Sequence, residues 1–388
     1  MSYRTLKQAS CSLFGLLASF AGTAWAVTPS KLNMPRGVTE ISHEVYGLHM
    51  LILWICVVIG AIVFGVMIWS MIHHRKGKRE SANFHDNLRV EIAWTIIPFV
   101  ILVGMAVPAA KTLIKMEATG DAEVTIQVTG FQWRWRYDYV DEGFGYFSNL
   151  SQDSNEARQM DSGIDLAQVD NYLLNVDNPL VVPIGKKIRF LMTSNDVIHS
   201  WWVPQLAVKK DTIPGYINEV WAKIDVPGTY RGQCAELCGR DHAFMPVVVI
   251  AMEQADYDAW LAERREEQAG EAEALASDRD WEMGELMARG EGVYMSQCAA
   301  CHQPNGQGLP AMGFPALTGD SMSADATRLA EHIDIVLHGS RVNPAMAAFG
   351  RTLNDLDIAA VITYERNAFG NETGDVVQPR DIGAAREQ

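Results

Sequence analysis

The sequence predicts a multidomain membrane protein in which a two-helix transmembrane hairpin carries an all-β Greek-key sandwich followed by an all-α domain. Three observations predict it. Two long apolar runs lie near the N-terminus, alternating apolar and polar residues with Pro and Gly turns fill the middle, and a C-x-x-C-H motif sits in a helix-and-loop pattern near the C-terminus. A chain of 388 residues is long enough for two or three domains, and 48% hydrophobic content exceeds what soluble cores alone explain.

Arg4 and Lys7, the apolar run Leu13 to Phe20 and then Ala24-Trp25-Ala26 form the layout of a secretory signal, so 1–26 is expected to be removed and the mature chain to start at Val27. Residues 27–116 form the hairpin. Residues 48–72 contain no charged side chain apart from His49, and 92–113 are interrupted only by Lys111, so each is long enough to cross a bilayer as a helix. The basic stretch His73 to Arg79 between them places that loop in the cytoplasm and both flanks outside, at the inner membrane of a bacterium. Cys56 reads as a packing or lipid-facing residue, and His43, His49, His73, His74 and His85 are assigned no metal.

Residues 117–252 form the β-domain. Glu123 to Thr129 alternates at the strand period and runs into Gly130-Phe131-Gln132-Trp133-Arg134-Trp135-Arg136-Tyr137. Further strand signals lie at 178–184, 187–193, 220–226 and 247–252, separated by turns such as Val226-Pro227-Gly228. Residues 148–170 are polar and acidic and read as a surface insertion without chemistry. Residues 253–285 are rich in Ala, Glu, Gln and Arg without a continuous apolar face, which predicts a solvated helical linker. An α-domain over 286–372 and a tail over 373–388 complete the chain.

The β-domain carries a concentrated ligand set. Cys234, Cys238, His242 and Met245 fall within twelve residues, and His199 stands 35 residues upstream of Cys234. Thiol and thioether are soft donors that favour copper, and imidazole suits either copper oxidation state. Two thiols on one tight loop are enough to bridge a metal pair. C-x3-C alone would favour a disulfide, and Cys with His also suits zinc, but Met is a poor zinc ligand.

In the α-domain, Cys298-Ala299-Ala300-Cys301-His302 is the haem attachment signature: each thiol forms a thioether with a haem vinyl, and the adjacent His is placed as an iron ligand. No βαβ pattern surrounds it to suggest a thioredoxin-like dithiol. Met312, Met322, Met346, His332 and His338 are the candidates for the sixth ligand, with the two histidines reading as helix-surface or haem-propionate neighbours.

The pattern H…C-x-E-x-C-x3-H-x2-M resembles the dinuclear CuA centre of cytochrome c oxidase subunit II, and with the hairpin and the haem motif the whole mature chain resembles subunit II of a caa-type oxidase. The resemblance implies a cupredoxin sandwich followed by a cytochrome c domain. It implies CuA ligation by His199, Cys234, Cys238, His242, Met245 and the backbone carbonyl of Glu236, whose side chain would face a magnesium shared with subunit I. It implies Met346 as the sixth haem ligand, in Asn343-Pro344-Ala345-Met346-Ala347-Ala348-Phe349, where the family's M-P-x-F reads Met-Ala-Ala-Phe. The G-x-Q-W-x-W pattern marks Trp133 as the residue through which electrons come in, and E-x-x-W-T-I-x-P marks Glu91 at the mouth of a proton pathway. Subunit I, subunit III and a donor such as cytochrome c are the implied partners. A formal charge of −15 suits a basic donor and gives no reason to expect nucleic acid. A quinol oxidase subunit would lack the copper ligands; a CuA-type nitric oxide reductase and a membrane-tethered copper or electron carrier are the remaining readings.

Overall fold

The computed structural model describes residues 33–75, 86–159, 162–276, 279–343 and 346–387, so the expected signal segment and most of the basic loop lie outside it. Helices α1 (Glu40–His73) and α2 (Leu88–Met116) are long and apolar enough to cross a membrane, and they extend beyond the apolar runs at both ends. Each starts at a cap: the Thr39 hydroxyl accepts from the amide of Ser42 at 3.0 Å, and the Asn87 side chain from that of Val90 at 3.3 Å. The outer ends are tied together and to the β-domain. Lys115 pairs with Glu40 and, at 2.6 Å, with Glu44, while Trp221 donates its indole N–H to the carbonyl of Lys115 at 3.0 Å. Thr39 also donates to the carbonyl of Leu206 at 3.1 Å.

The β-domain holds β1 (Val124–Phe131), β2 (Arg134–Tyr139), β3 (Phe144–Ser148), helix α3 (Gln152–Ala157), β4 (Leu180–Pro183), β5 (Lys187–Ser194), β6 (His199–Val203), β7 (Val208–Thr212), β8 (Asn218–Lys223), β9 (Gly228–Cys234) and β10 (Pro246–Met252). They form two five-stranded sheets, β3-β2-β1-β5-β8 and β4-β10-β9-β6-β7, the expected sandwich. Strict alternation along β5 sends Ile188, Phe190, Met192 and Ser194 inward, and the shared core is filled by Ile126, Trp135, Tyr137, Trp201 and Val249. In the second sheet β6 lies beside β9 with Trp201 opposite Cys234, which brings His199 next to the cysteine loop.

Helix α4 (Gln254–Ala276) corrects the expectation of a solvated linker. Tyr257 and Leu261 are 4% and 6% exposed in the sandwich core, and Trp260 lies 5.4 Å from Tyr139 and 5.9 Å from Phe144 between ring centroids. Those three residues share one helix face over little more than a turn, too short to stand out in a strongly charged segment. The far end is anchored too, through Glu271, which pairs with Arg289 and accepts from Asn354 at 3.0 Å. The insertion at 148–170 is likewise no mere surface loop, because α3 buries Ser154 and Ala157 and leads Arg158 to the cysteine loop.

The C-terminal domain consists of α5 (Met283–Val293), α6 (Ala299–His302), α7 (Leu329–His338), α8 (Asp355–Asn367) and α9 (Pro379–Arg386). Gly290 lets α5 cross α8 closely: a Cβ there would stand 2.1 Å from the carbonyl oxygen of Ala360. The segment expected as a tail belongs to this domain, since Val377 and Ile382 are buried in its core. One isolated apolar residue per turn gave no periodic signal to place it there.

Docking of α4 has a measurable consequence. Leu261→Ala is expected to destabilise the β-domain by about 2–5 kcal/mol, read as a lowered thermal unfolding midpoint of the purified chain, whereas Glu273→Ala on the exposed part of the helix is expected to stay within about 0.5 kcal/mol. Equal effects of the two substitutions would contradict the docking.

Candidate copper and haem sites

His199 opens β6, Cys234 closes β9, and Cys238, His242 and Met245 lie on the connection to β10, so rigid strands hold both ends of the ligand loop. The Sγ atoms of Cys234 and Cys238 stand 3.8 Å apart, nearly twice the length of a disulfide bond, and both cysteines are free thiols. Cys238 Sγ is 3.5 Å from Nδ1 of His242 and 3.6 Å from Sδ of Met245. The ligand atoms of His199, Cys234 and Cys238 fall within 4.8 Å of one another. The Glu236 carbonyl oxygen is 3.3 Å from Cys234 Sγ, while its side chain and that of Leu237 project from the exposed loop tip. All the predicted copper ligands are therefore together.

The donor set fits copper on a further ground. His199 is fully buried, its Nε2 lies 2.9 Å from Oδ1 of Asp196, and its Nδ1 is buried without a hydrogen-bond partner. An imidazole fixed through one nitrogen with the other left bare is arranged as a metal ligand. The neighbouring Cys238 thiol and the nearby His199 ring hold the Cys234 thiol well below its usual range, and the same pairing with Cys234 plus burial pushes Cys238 up. A bound cation would compensate both sulfurs as thiolates. Gly130 stands against the ring: a Cβ there would meet His199 Cδ2 at 2.7 Å. Asp196 was missed at the sequence level; an acid three residues before a ligand histidine is the signal that offered it.

Trp133 lies at the β1–β2 turn. Its indole N–H donates to the Cys238 carbonyl at 3.1 Å, and the Gln132 side-chain amide donates to the same oxygen at 2.8 Å. Beyond Trp133 opens a cavity of about 270 Å³ between the β-domain and the helical domain, lined among others by Cys298, Cys301, His302 and Met346. His302 is buried, and its Nδ1 lies 2.9 Å from the Pro315 carbonyl, which leaves Nε2 for iron. The residues of the attachment motif thus fit a haem in this space. Of the sixth-ligand candidates, Met322, Met346 and His332 line the cavity, whereas Met312 and His338 are exposed and outside it. Of the two readings of His332, the helix-surface one is corrected, since it is 2% exposed with Nε2 2.8 Å from Oε2 of Glu365, while its place on the cavity wall leaves the haem-neighbour reading open.

Three arginines that sequence reasoning passed over surround this space. Arg134 lies over Phe147 at 4.3 Å and donates to the Ser296 carbonyl at 3.4 Å, and burial pushes its guanidinium down to about 10, still protonated at neutral pH. Arg158 and Arg240 both pair with buried Asp241. A run of alternating aromatics and arginines along β2 was the available signal for Arg134 only. Glu91 occupies the first turn of α2, far along the chain from these groups.

Residues 27–112 match the cytochrome c oxidase subunit II transmembrane domain, 124–252 match the subunit II periplasmic domain, and 285–364 match the family described as cytochrome c oxidase, cbb3-type, subunit III. A probable cytochrome c oxidase subunit 2 of Rickettsia bellii is 36% identical over 252 residues, spanning 64% of this chain and 90% of that protein. The chain belongs to the cytochrome c oxidase subunit II family. The subunit 2 of Cereibacter sphaeroides is 34% identical, covering 67% of this chain and 92% of its own length. A crystal structure of the periplasmic domain of subunit II of cytochrome oxidase from Bradyrhizobium japonicum is 39% identical, with TM-score 0.34, over 38% of this chain and 98% of that one. This subunit II is membrane-anchored and adds a helical cytochrome c domain, so copper and haem c belong to it and a haem-copper oxidase subunit I is its partner.

Asp196→Asn keeps the shape beside His199 but withdraws the carboxylate that fixes the ring. Copper affinity is expected to fall by about tenfold to a hundredfold, measured as metal retained against a chelator, with the haem c content unchanged. Copper retention equal to the wild type would contradict the role given to Asp196.

Proposed function

We propose that this chain is the electron-receiving subunit of a caa-type cytochrome c oxidase, taking electrons from a respiratory donor into its cytochrome domain and passing them through its copper domain to haem in subunit I. The observation that carries the proposal is the Trp133 indole, which lines the cavity shared with Cys298 and Cys301 and donates a hydrogen bond to the Cys238 carbonyl. When bound, copper and haem c supply one-electron chemistry that no side chain here provides. The chain's own residues bind and orient. Cys298 and Cys301 would anchor the haem, and His302 and Met346 would hold its iron. A Met ligand raises the potential relative to a second His. His199, Cys234, Cys238, His242, Met245 and the Glu236 carbonyl are assigned to a dinuclear CuA centre, with the exposed Glu236 side chain on the magnesium side.

In this reading the proton-pumping oxygen chemistry belongs to the membrane partner, with Glu91 at the mouth of a proton pathway, and subunit III and a basic donor such as cytochrome c complete the assembly. The copper and haem domains face the outer side of a bacterial inner membrane. The domain limits are those of the sequence reading, with 373–387 added to the haem domain.

The reduced-minus-oxidised visible spectrum of the complex purified through a tag on this chain tests the reading. A haem a band beside the haem c band is expected; haem c with only b-type haem would move the chain to a nitric oxide reductase or another partner. In the same complex Trp133→Leu is expected to slow turnover by about tenfold to a hundredfold while copper and haem c are retained, because the bridge between loop and cavity is displaced.

A further inference from the structure

Arg240 lies between two proposed copper ligands, two residues after Cys238 and two before His242, and its side chain reaches from the copper loop to the haem domain. Its Nη2 donates to the carbonyl of Ala300, which sits between the two haem-attachment cysteines. Its guanidinium is 4.8 Å from the ring centroid of Phe314 in the haem domain and 5.5 Å from that of Trp133 in the copper domain. One side chain therefore touches the copper loop, Trp133 and the haem-attachment loop together.

Its direction is fixed from behind. Nε and Nη2 of Arg240 donate to the Asp241 carboxylate at 3.2 and 3.3 Å, and the same carboxylate accepts from Nη2 of Arg158 at 3.4 Å. Asp241 is only 4% exposed, so its charge is compensated by the two guanidiniums. Arg158, brought in by the insertion after α3, is held 4.2 Å over Phe244. A planar fork that stacks and donates at once is a role lysine does not reproduce.

We propose that Arg240 is a positioning residue for electron transfer within this chain: braced by Asp241 and Arg158, it pins the haem-attachment loop at 298–302 onto Trp133 and the copper loop. The inference rests on the reading that electrons pass from the haem to the copper centre here. In that step a bound haem would give up one electron and the bound copper centre would take it up, so no further oxidant or reductant is needed. The rate of such a step depends on fixed separation and orientation. The domains stay tethered without Arg240, because α4 is docked at both ends, so losing it loosens the loop-on-loop contact locally.

The test compares wild type, Arg240→Ala, Arg240→Lys and, from the haem side, Phe314→Leu in the complex purified with subunit I. Copper content, copper absorption and haem c content are measured first and are expected to be unchanged. Hydrogen exchange of peptides covering 296–302 is expected to rise in R240A and R240K, and internal electron transfer from haem to copper to slow by about tenfold or more in R240A, with R240K only partly restored. F314L is expected to move both readouts the same way, and the double variant to add little beyond R240A. Unchanged exchange and transfer in R240A with intact copper would overturn the proposal. So would loss of the copper band in R240A with F314L at wild-type rates, since Arg240 would then build the copper loop and not the docking. Absence of haem-to-copper transfer in the wild type itself would instead remove the functional reading, while exchange still reports whether Arg240 holds the loop.

Discussion

The Cys238 carbonyl accepts hydrogen bonds from both Trp133 and Gln132, and the arrangement of the two redox sites depends on that oxygen. It ties the ligand loop between β9 and β10 to the turn between β1 and β2, two segments that belong to opposite sheets of the sandwich. With the loop fixed at this point, Cys234 and Cys238 face each other, His199 reaches them from β6, and Trp133 is turned towards the cavity of the haem domain. A site held by strands and by hydrogen bonds to its own backbone is prearranged before metal binds.

Around that core the structure buries charge where the two domains meet. Arg134 sits among Phe131, Phe147 and Phe349, Asp241 lies between two guanidiniums, and His332 pairs with Glu365 at the wall of the cavity. Each buried charge or polar group carries a desolvation cost that specific partners offset. Their number at one boundary fits an interface selected for a defined geometry. An apolar contact of equal area would hold the domains together with less directional control.

The clustering of the candidate copper ligands and the haem motif were legible because their chemistry is local: four donors share one loop, and the attachment motif spans five residues. The membrane spans were legible because an apolar run of that length has few other uses. What escaped was long-range. Tyr257 and Leu261 pack through one turn of a helix whose composition reads as solvated, Val377 and Ile382 bury isolated side chains beyond the expected domain end, and Arg158 acts on a residue 83 positions away. His332 shares the buried face of α7 with Ile333, Val336 and Leu337, which helical spacing offered, but its pairing with Glu365, 33 residues on, is long-range. Pairings of this kind leave no period in the sequence, so only the folded chain reveals them.

The proposed relay has a fixed order, in which the haem domain would receive the electron and the copper domain would take it from there. Rapid one-electron reduction of the fully oxidised complex, followed at the haem c and copper absorption bands, tests it most directly. The haem c signal is expected to appear first and to decay at the rate at which the copper band bleaches. Copper reduction that precedes haem c, or a haem c signal that persists while copper is reduced independently, would contradict it.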